Sequence, residues 1–246
     1  SMRLIPSDVK KNTFTAQQVN DLMDNPDLPF HNKLTVNALD SDYGKPEYIA
    51  ATYHQPNLVS ATRMASNINM WERLSVEAQS ERRESNEKTN GANAVYGEKH
   101  KLSNQAHWTR CCDTETEFGV KIGNKACMVQ IQEWGDMMLR SKRGLSMKDK
   151  SCRLIRIVML DQDGKSLLKK PMWLSVWGLR NNELSLEQIF WAYHRRFDIE
   201  HFFRFGKQNL LLDQFETPIE GNMENWLEVA NMAYWMLWVA RTDSNY

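Results

Sequence analysis

The order of hydrophobic and polar positions along the chain predicts a mixed α/β fold. A short apolar run within 34–43 (LTVNALDSDY) ends in acidic residues and is typical of a strand. A helical stretch then opens with Pro46 in its first turn, and a second β-like run ends at Arg63. The first part of the chain is therefore predicted to contain a strand, a helix and a strand in succession.

Between Arg63 and Ser185 the pattern is largely that of β-strands. Four apolar-rich runs are predicted strands: 118–122, 126–139, 154–160 and 172–179. Gly123-Asn124 separates the first two runs and Asp163-Gly164 the last two, which predicts two tight turns. A mixed-charge run at 75–90 precedes them and predicts an exposed helix or loop. This region is therefore predicted to be a largely β insertion.

Residues 185–207 have the periodicity of a helix, for which Ser185 offers an N-cap. Four polar residues on it fall at separations of three, four and seven: Tyr193, Arg196, Glu200 and Lys207. At about 100° per residue, these steps keep the four side chains within an arc of roughly 60°. The stripe holds a carboxylate among two cations and a phenol, an arrangement suited to ligating a metal ion and binding phosphate.

Two further helices are predicted outside these regions. Residues 16–23 form a helical segment with Thr15 as its N-cap. The apolar stretch 229–240 is too short to span a bilayer, which needs about 20 such residues, and is predicted to be a buried helix. The sequence has no secretory signal and its four cysteines show no disulfide framework, so a reducing cytoplasm is the expected compartment.

Charge and local motifs narrow the function classes. The net charge is zero, but residues 140–170 contain ten Lys/Arg and three Asp, a local balance of +7. Such a stretch can attract phosphate, although charge alone fits a solvated basic loop equally well. The sequence contains no phosphate-binding P-loop, dinucleotide-binding or serine-hydrolase motif. His100, His107, Cys111 and Cys112 lie close in sequence, but not at the spacing of zinc ligands.

The spacing Y-x2-R-x3-E-x6-K from Tyr193 to Lys207 resembles the signature of the insertion-sequence-4-type DDE transposases. These are cut-and-paste enzymes with an RNase H-like catalytic fold, in which three acidic residues bind metal ions. The resemblance covers roughly residues 15–240. The alternative is a surface helix with Arg/Glu pairs, each worth about 0.2–0.5 kcal/mol.

A second motif supports the resemblance. In the family, the second catalytic aspartate lies at the end of a strand in a D-x-x-Y/F context, which Asp40 and Tyr43 match. Asp42 competes for this role, and both acids could simply supply turn chemistry after the strand. The resemblance implies that Asp40 and Glu200 are two of the three catalytic carboxylates and ligands of the metal, Mg²⁺ or Mn²⁺.

The resemblance also implies DNA-binding residues. Tyr193, Arg196 and Lys207 would hold phosphates of the transposon end. Trp173 matches a strand tryptophan that stacks on a base flipped out of the duplex, and Phe197 matches a second aromatic residue of that pocket. Packing of Trp173 in the core is the alternative, because most strand tryptophans bury apolar area.

The implied fold class is α/β, a partial RNase H-like catalytic core interrupted by the β insertion. Residues 1–68 and 185–246 would form the core, and residues 69–184 the insertion. The first catalytic aspartate should be separated from Asp40 by strands and a helix that do not fit into the 39 residues before it. The chain is therefore expected to be a C-terminal fragment that lacks this first acid.

The implied function is metal-dependent cleavage of transposon ends followed by strand transfer into target DNA. The implied partners are double-stranded DNA and a second copy of the protein, since cut-and-paste relatives act as dimers on paired ends. The expected location is the cytoplasm, at the nucleoid when DNA is bound, with no membrane partner. The alternative function is a non-catalytic DNA-binding or assembly remnant of a transposase.

Overall fold

The computed structural model describes residues 8–84, 95–108, 110–142, 144–212, 214 and 219–243. The described residues form these helices: α1 (Lys11–Asp24), α2 (Pro46–Thr52), α3 (Val76–Glu84), α4 (Leu186–His194), α5 (Arg196–Asn209) and α6 (Glu220–Asp243). They also form these strands: β1 (Thr35–Leu39), β2 (Leu58–Met64), β3 (Asn69–Arg73), β4 (Tyr96–Lys101), β5 (Thr114–Ile122), β6 (Lys125–Met138), β7 (Cys152–Leu160) and β8 (Met172–Trp177). The fold is mixed α/β, as the sequence predicts.

The strands form one open, mostly antiparallel sheet. Its order is β1-β2-β8-β7-β6-β3-β4, and β5 also pairs with β6. β1 and β2 are parallel, whereas the other neighbours are antiparallel. Strands from the predicted core and from the predicted insertion therefore share one sheet, and an RNase H-like arrangement remains a prediction.

The β1–α2–β2 unit follows the predicted strand–helix–strand order. β1 pairs with β2 from Thr35 opposite Leu58 to Leu39 opposite Thr62. Parallel neighbours need a crossover connection, and α2 begins it with Pro46 at a position where a missing N–H costs little. Because the two strands are parallel, their C-terminal ends lie at the same end of the sheet.

The longest strand, β6, organises the middle of the sheet. It is joined to β5 by the predicted Gly123-Asn124 turn, in which Gly123 has a φ of 59°. One edge of β6 pairs with β7, and the other edge pairs first with β5 and then with β3. After Trp134, β6 carries one more residue than β7, with Asp136 at a φ of 50°, which is a β-bulge.

The main apolar core lies on one face of the sheet. Ala16 of α1 and Tyr48 of α2 pack into it. The strands contribute these buried side chains: Met64, Met70, Trp134, Met137, Cys152, Leu154, Trp173 and Trp177. A smaller cluster of Val95, Tyr96 and Met138 lies apart from it. Because consecutive strand residues point to opposite faces, Met137 and Met138 place the two clusters on opposite sides of β6.

The chain divides into two compact units. The sheet unit comprises residues 12–192, and the helical unit comprises the residues before Asn12 and after Ala192. Within the helical unit α5 contacts α6, where the rings of Phe202 and Tyr234 lie 4.8 Å apart, edge to face. The segments predicted from the sequence, with boundaries at 68/69 and 184/185, remain a prediction.

Two predicted helix boundaries are wrong. α1 begins at Lys11, so Thr15 lies inside the helix instead of capping it. A tertiary contact holds the extra turn, since the Asn12 amide donates to the Asp42 carbonyl at 3.2 Å. The helix predicted across 185–207 is interrupted at Arg195, where the Asp198 N–H donates to the Arg195 carbonyl three residues back and tightens the turn.

The apolar stretch 229–240 is helical, as predicted, but it is not buried. It lies in α6, and several of its side chains are largely exposed: Val229, Met232, Trp235, Met236, Leu237, Trp238 and Val239. The side of α6 that faces α5 carries Ala230, which is buried, and Tyr234, which packs on Phe202. Among the described residues, no helix has the length and hydropathy needed to cross a membrane.

Candidate functional site

Asp40 stands directly after β1 and caps a short 3-10 turn. Its Oδ1 accepts a hydrogen bond from the Ser41 N–H at 2.6 Å, and the residue is exposed. The turn chemistry expected of Asp40 is therefore present. It uses one carboxylate oxygen, so capping is compatible with a second role for this side chain.

The neighbouring acid Asp42 has a different environment. Its carboxylate lies 4.0 Å from the Lys45 ammonium, and the two side chains are 61% and 50% exposed. Tyr43 instead turns inward, with its ring 5.8 Å from that of Tyr48, edge to face. The structure thus separates an acid at the strand end, Asp40, from an acid on the surface of the turn, Asp42.

On α5, Arg196 and Glu200 form an ion pair one helical turn apart. The Arg196 Nη2 donates to the Glu200 Oε1 at 2.8 Å. The arginine side chain is only 15% exposed, whereas the glutamate side chain is 49% exposed. The pair therefore presents a carboxylate to solvent from a guanidinium that is largely covered by protein.

The aromatic residues of the predicted stripe hold this guanidinium. Its Cζ lies 5.5 Å from the ring centre of Tyr193 and 5.1 Å from that of Phe197. Tyr193 is fully buried, and Phe197 is about one-third exposed at 36%. Three residues predicted from the sequence thus contact Arg196, and one of them, Tyr193, belongs to α4 and not to α5. Lys207 is exposed on the same helix, about 10 Å beyond Glu200 at 1.5 Å per residue.

Trp173 does not have the exposure that base stacking requires. Its side chain is 3% exposed, and its ring packs 5.6 Å from Trp134 and 5.5 Å from Trp108. In this conformation the ring packs in the core, as in the alternative interpretation of Trp173, and base stacking by this residue stays a prediction. The physical reason is that every residue of β8 is buried, so alternation along this strand offers no solvent-facing side.

The basic stretch 140–170 does not form one continuous surface. Arg153 is buried, pairs with Glu133 at 2.5 Å, and donates to the carbonyls of Asn181 and Leu184, both at 2.7 Å. These contacts fix the turn that leads into α4. Lys150 is also buried, beside Asp149, whose pKa its ammonium lowers. Arg153 and Lys150 therefore make contacts within the protein and do not add to a phosphate-binding surface.

The candidate metal ligands are two carboxylates, that of Asp40 directly after β1 and that of Glu200 on α5. Hard oxygen donors of this kind fit Mg²⁺ or Mn²⁺. Asp40 belongs to the sheet unit and Glu200 to the helical unit. Within the described part of the chain, no group of three or more His, Cys, Asp or Glu residues forms a metal site. The side chain of His107, one of the weighed zinc ligands, lies outside the described residues.

Sequence reasoning missed a buried histidine in an aromatic cluster. His100 is fully buried, and neither ring nitrogen has a hydrogen-bond partner among the described residues. Its ring stacks on Trp108 at 5.7 Å and meets Trp134 at 5.3 Å. Burial, together with the nearby Arg110 charge, lowers the pKa of His100 to about 4. Only its alternation with Lys99 and Lys101 could have indicated an inward-facing position.

The start of α4 after Ser185 agrees with its prediction. The Ser185 Oγ accepts from the Gln188 N–H at 3.1 Å, and the Gln188 Oε1 accepts from the Ser185 N–H at 2.9 Å, which makes a capping box.

No protein-family model matches the chain, and no curated protein sequence is similar to it. The resemblance to transposases therefore rests on the motifs and on their geometry.

Proposed function

We propose that this chain is part of a DDE-type transposase that cleaves transposon ends and transfers the strands into target DNA. The observation that carries the proposal is the Arg196–Glu200 pair, a solvent-facing carboxylate held at 2.8 Å by a covered guanidinium. It lies within the Y-x2-R-x3-E-x6-K spacing, and Tyr193 of the same motif packs against the guanidinium.

Asp40 adds the second element of the proposal. It is an exposed acid directly after a strand that has a parallel neighbour, followed three residues later by Tyr43. In this proposal Asp40 and Glu200 serve as ligands of Mg²⁺ or Mn²⁺. When bound at such carboxylates, two divalent ions activate a water or a DNA 3′-hydroxyl and stabilise the departing oxygen.

The other residues of the stripe have positioning and binding roles. Arg196 orients the Glu200 carboxylate through a hydrogen bond from its Nη2 at 2.8 Å. The rings of Tyr193 and Phe197 both pack near the guanidinium and help to hold it in place. Lys207, exposed on the same helix, is the residue placed to contact a DNA phosphate as a point charge.

Excision of the transposon from its native flanking DNA tests this function. The test does not require the sequences of the transposon ends to be known. The complete coding sequence and its flanks are placed on a plasmid, and rejoined excision products are counted by sequencing. We expect Glu200→Gln and Asp40→Asn to abolish excision, because each removes a charged metal ligand. Because the Arg196 side chain is only 15% exposed, removing its partner is expected to cost stability of its own, so thermal unfolding of each variant is measured alongside to separate that loss from lost catalysis.

Matched controls carry the same change of charge at neighbouring positions. Asp198→Asn lies on α5 beside the pair, and Asp42→Asn lies two residues from Asp40; both acids are exposed. These variants should excise like the unaltered protein. Excision that survives Glu200→Gln would contradict the proposal, and DNA binding without any excision would favour the non-catalytic alternative.

A further inference from the structure

A second tryptophan, Trp71 on β3, lies beneath two cations on the surface of the sheet. The Arg140 Cζ is 5.1 Å from the Trp71 ring centre, and the Lys99 Nζ is 6.0 Å from it. Arg140 also lies 6.0 Å from the ring centre of Tyr96. Two like charges are therefore held near one aromatic ring, whose electrons attract each of them.

Strand register explains why these side chains share one face. Trp71 pairs with Lys99 of β4 on one side and with Met138 of β6 on the other. Arg140 follows Met138 by two residues and so continues on its side, and Lys101 follows Lys99 in the same way. We call these residues the Trp71 face: Trp71, Tyr96, Lys99, Lys101 and Arg140.

The alternate residues of the same strands point to the opposite side. His100 and Met70 are fully buried on the side of the main core. Alternation thus places Lys99 and Lys101 on the Trp71 face and His100, between them, on the other side.

The cations of the Trp71 face are available for a partner. Lys99 and Arg140 are exposed and Lys101 is half-buried. None of the three takes part in an ion pair among the described residues. Beside them, the Arg82 Nη1 donates to the Tyr96 carbonyl at 2.8 Å. β4 is the last strand of the sheet order, so no further strand pairs with its outer edge in the described chain.

We propose that the Trp71 face binds the phosphate backbone of double-stranded DNA, with Trp71 as a positioning residue for Arg140 and Lys99. Lys99 and Lys101 are two strand residues apart, roughly 6.7 Å, and offer a row of charges to a row of phosphates. The inference rests on the proposed function only in taking DNA as the partner, because the Trp71 face needs no metal and contains none of the residues of the Asp40 and Glu200 sites.

The test measures the salt dependence of binding in the absence of divalent ions. A short labelled duplex of random sequence is titrated with the full chain in EDTA over a tenfold range of KCl. The triple variant K99Q/K101Q/R140Q removes three charges from the Trp71 face. We expect the slope of log K against log salt to decrease by about 2 to 3, since each phosphate contact contributes about 0.9.

The matched control removes three charges elsewhere. K121Q/K125Q/K169Q changes exposed lysines of β5, β6 and the turn before β8, with the same change of net charge. Its slope should change by less than about 1, because these lysines are not on the Trp71 face. Equal losses in both triple variants would overturn the proposal, since they would reflect overall charge. An unchanged slope in the first triple variant would overturn it as well.

A separate variant tests the positioning role of Trp71. Trp71→Leu keeps an apolar side chain under the cations but removes the ring. We expect weaker binding by roughly 3- to 10-fold with the slope nearly unchanged, because the charges remain but are less well held. Full retention of affinity would refute the positioning role. Because this titration is run in EDTA and measures binding alone, failure of excision and failure of this surface remain distinguishable.

Discussion

Around β3, β4 and β6, tryptophan side chains lie on both faces of the sheet, but in different surroundings. On the core face, Trp108, Trp134 and Trp173 surround His100, whose burial lowers its pKa to about 4. On the other face, Trp71 is half-buried and carries Arg140 5.1 Å above its ring. An aromatic ring thus packs against a neutral imidazole on one side and against charged groups on the other.

The comparison shows that burial, and not residue type, decides what a tryptophan does. A closed aromatic cluster excludes water and disfavours charge, which is why His100 is neutral there. A ring at the surface can hold a cation while the cation still contacts solvent. The family motif points to Trp173 for DNA contact, whereas the exposed geometry belongs to Trp71.

Truncating one tryptophan on each face should give the largest contrast. Trp173→Ala removes a ring that is 3% exposed, so we expect a loss of about 3–5 kcal/mol in the free energy of unfolding. Trp71→Ala removes a half-buried ring and should cost about 1–2 kcal/mol. Urea titrations of both variants, followed by circular dichroism, measure these losses.

DNA binding by the same two variants should show the reverse order. Trp71→Ala should weaken duplex binding, whereas Trp173→Ala should bind normally at temperatures where it is folded. If Trp173→Ala were as stable as the unaltered protein and bound DNA more weakly, the ring would have to open in solution, and the core assignment would be wrong.

Two arginines of the basic stretch sharpen the comparison further. Arg153 and Glu133 form a pair in which the side chains are 10% and 13% exposed, so Arg153→Ala leaves a covered carboxylate without its partner. We expect a loss of about 3 kcal/mol. Arg140→Ala, on the Trp71 face, should cost less than about 1 kcal/mol because it removes an exposed contact. Thermal and urea unfolding give both values.

A double variant identifies the cause of the Arg153 effect. R153M/E133Q removes both charges, so it should recover a large part of the stability lost in Arg153→Ala, because no unpaired charge remains covered. If the double variant recovered no stability relative to Arg153→Ala, the loss would come mainly from the hydrogen bonds from Arg153 to Asn181 and Leu184, which both variants lack.

Local signals account for the parts of the fold that the sequence predicts. The Gly123-Asn124 turn, the N-terminal Pro46 of α2 and the Ser185 cap depend on neighbouring residues, and each is found in the structure. The β3–β4 pairing is not predicted, because β3 and β4 are separated by a mixed-charge segment and their pairing is non-local. The interruption at Arg195 also escapes prediction, since no proline or glycine marks it.

The candidate site is predictable to the same extent. Helical spacing alone indicates that Arg196 and Glu200 meet, and they form the ion pair at 2.8 Å. The buried partner of Arg153 cannot be predicted in this way, because Glu133 lies on a neighbouring strand twenty residues earlier. A count of basic residues over 140–170 therefore overestimates the charge that is free to meet DNA.

The last prediction concerns the pH dependence of stability on the core face. The folded protein lowers the pKa of His100 from 6.5 to about 4, so the unfolded chain binds the additional proton between these values. Stability from this residue is therefore complete above about pH 6.5 and is lost as the pH falls towards 4. At about 1.4 kcal/mol per pH unit, lowering the pH from 6.5 to 5 should remove about 2 kcal/mol.

His100→Phe isolates this contribution, because phenylalanine keeps a ring between Trp108 and Trp134 but cannot be protonated. Urea unfolding at a series of pH values should show a shallower acid decline for His100→Phe than for the unaltered protein. His201→Gln, at an exposed position of α5, is the matched control and should leave the decline unchanged. If His100→Phe declined as steeply as the unaltered protein, the imidazole would have to be reachable by water and protons in the folded state. The closed aromatic cluster, and with it the contrast between the two faces, would then be incorrect.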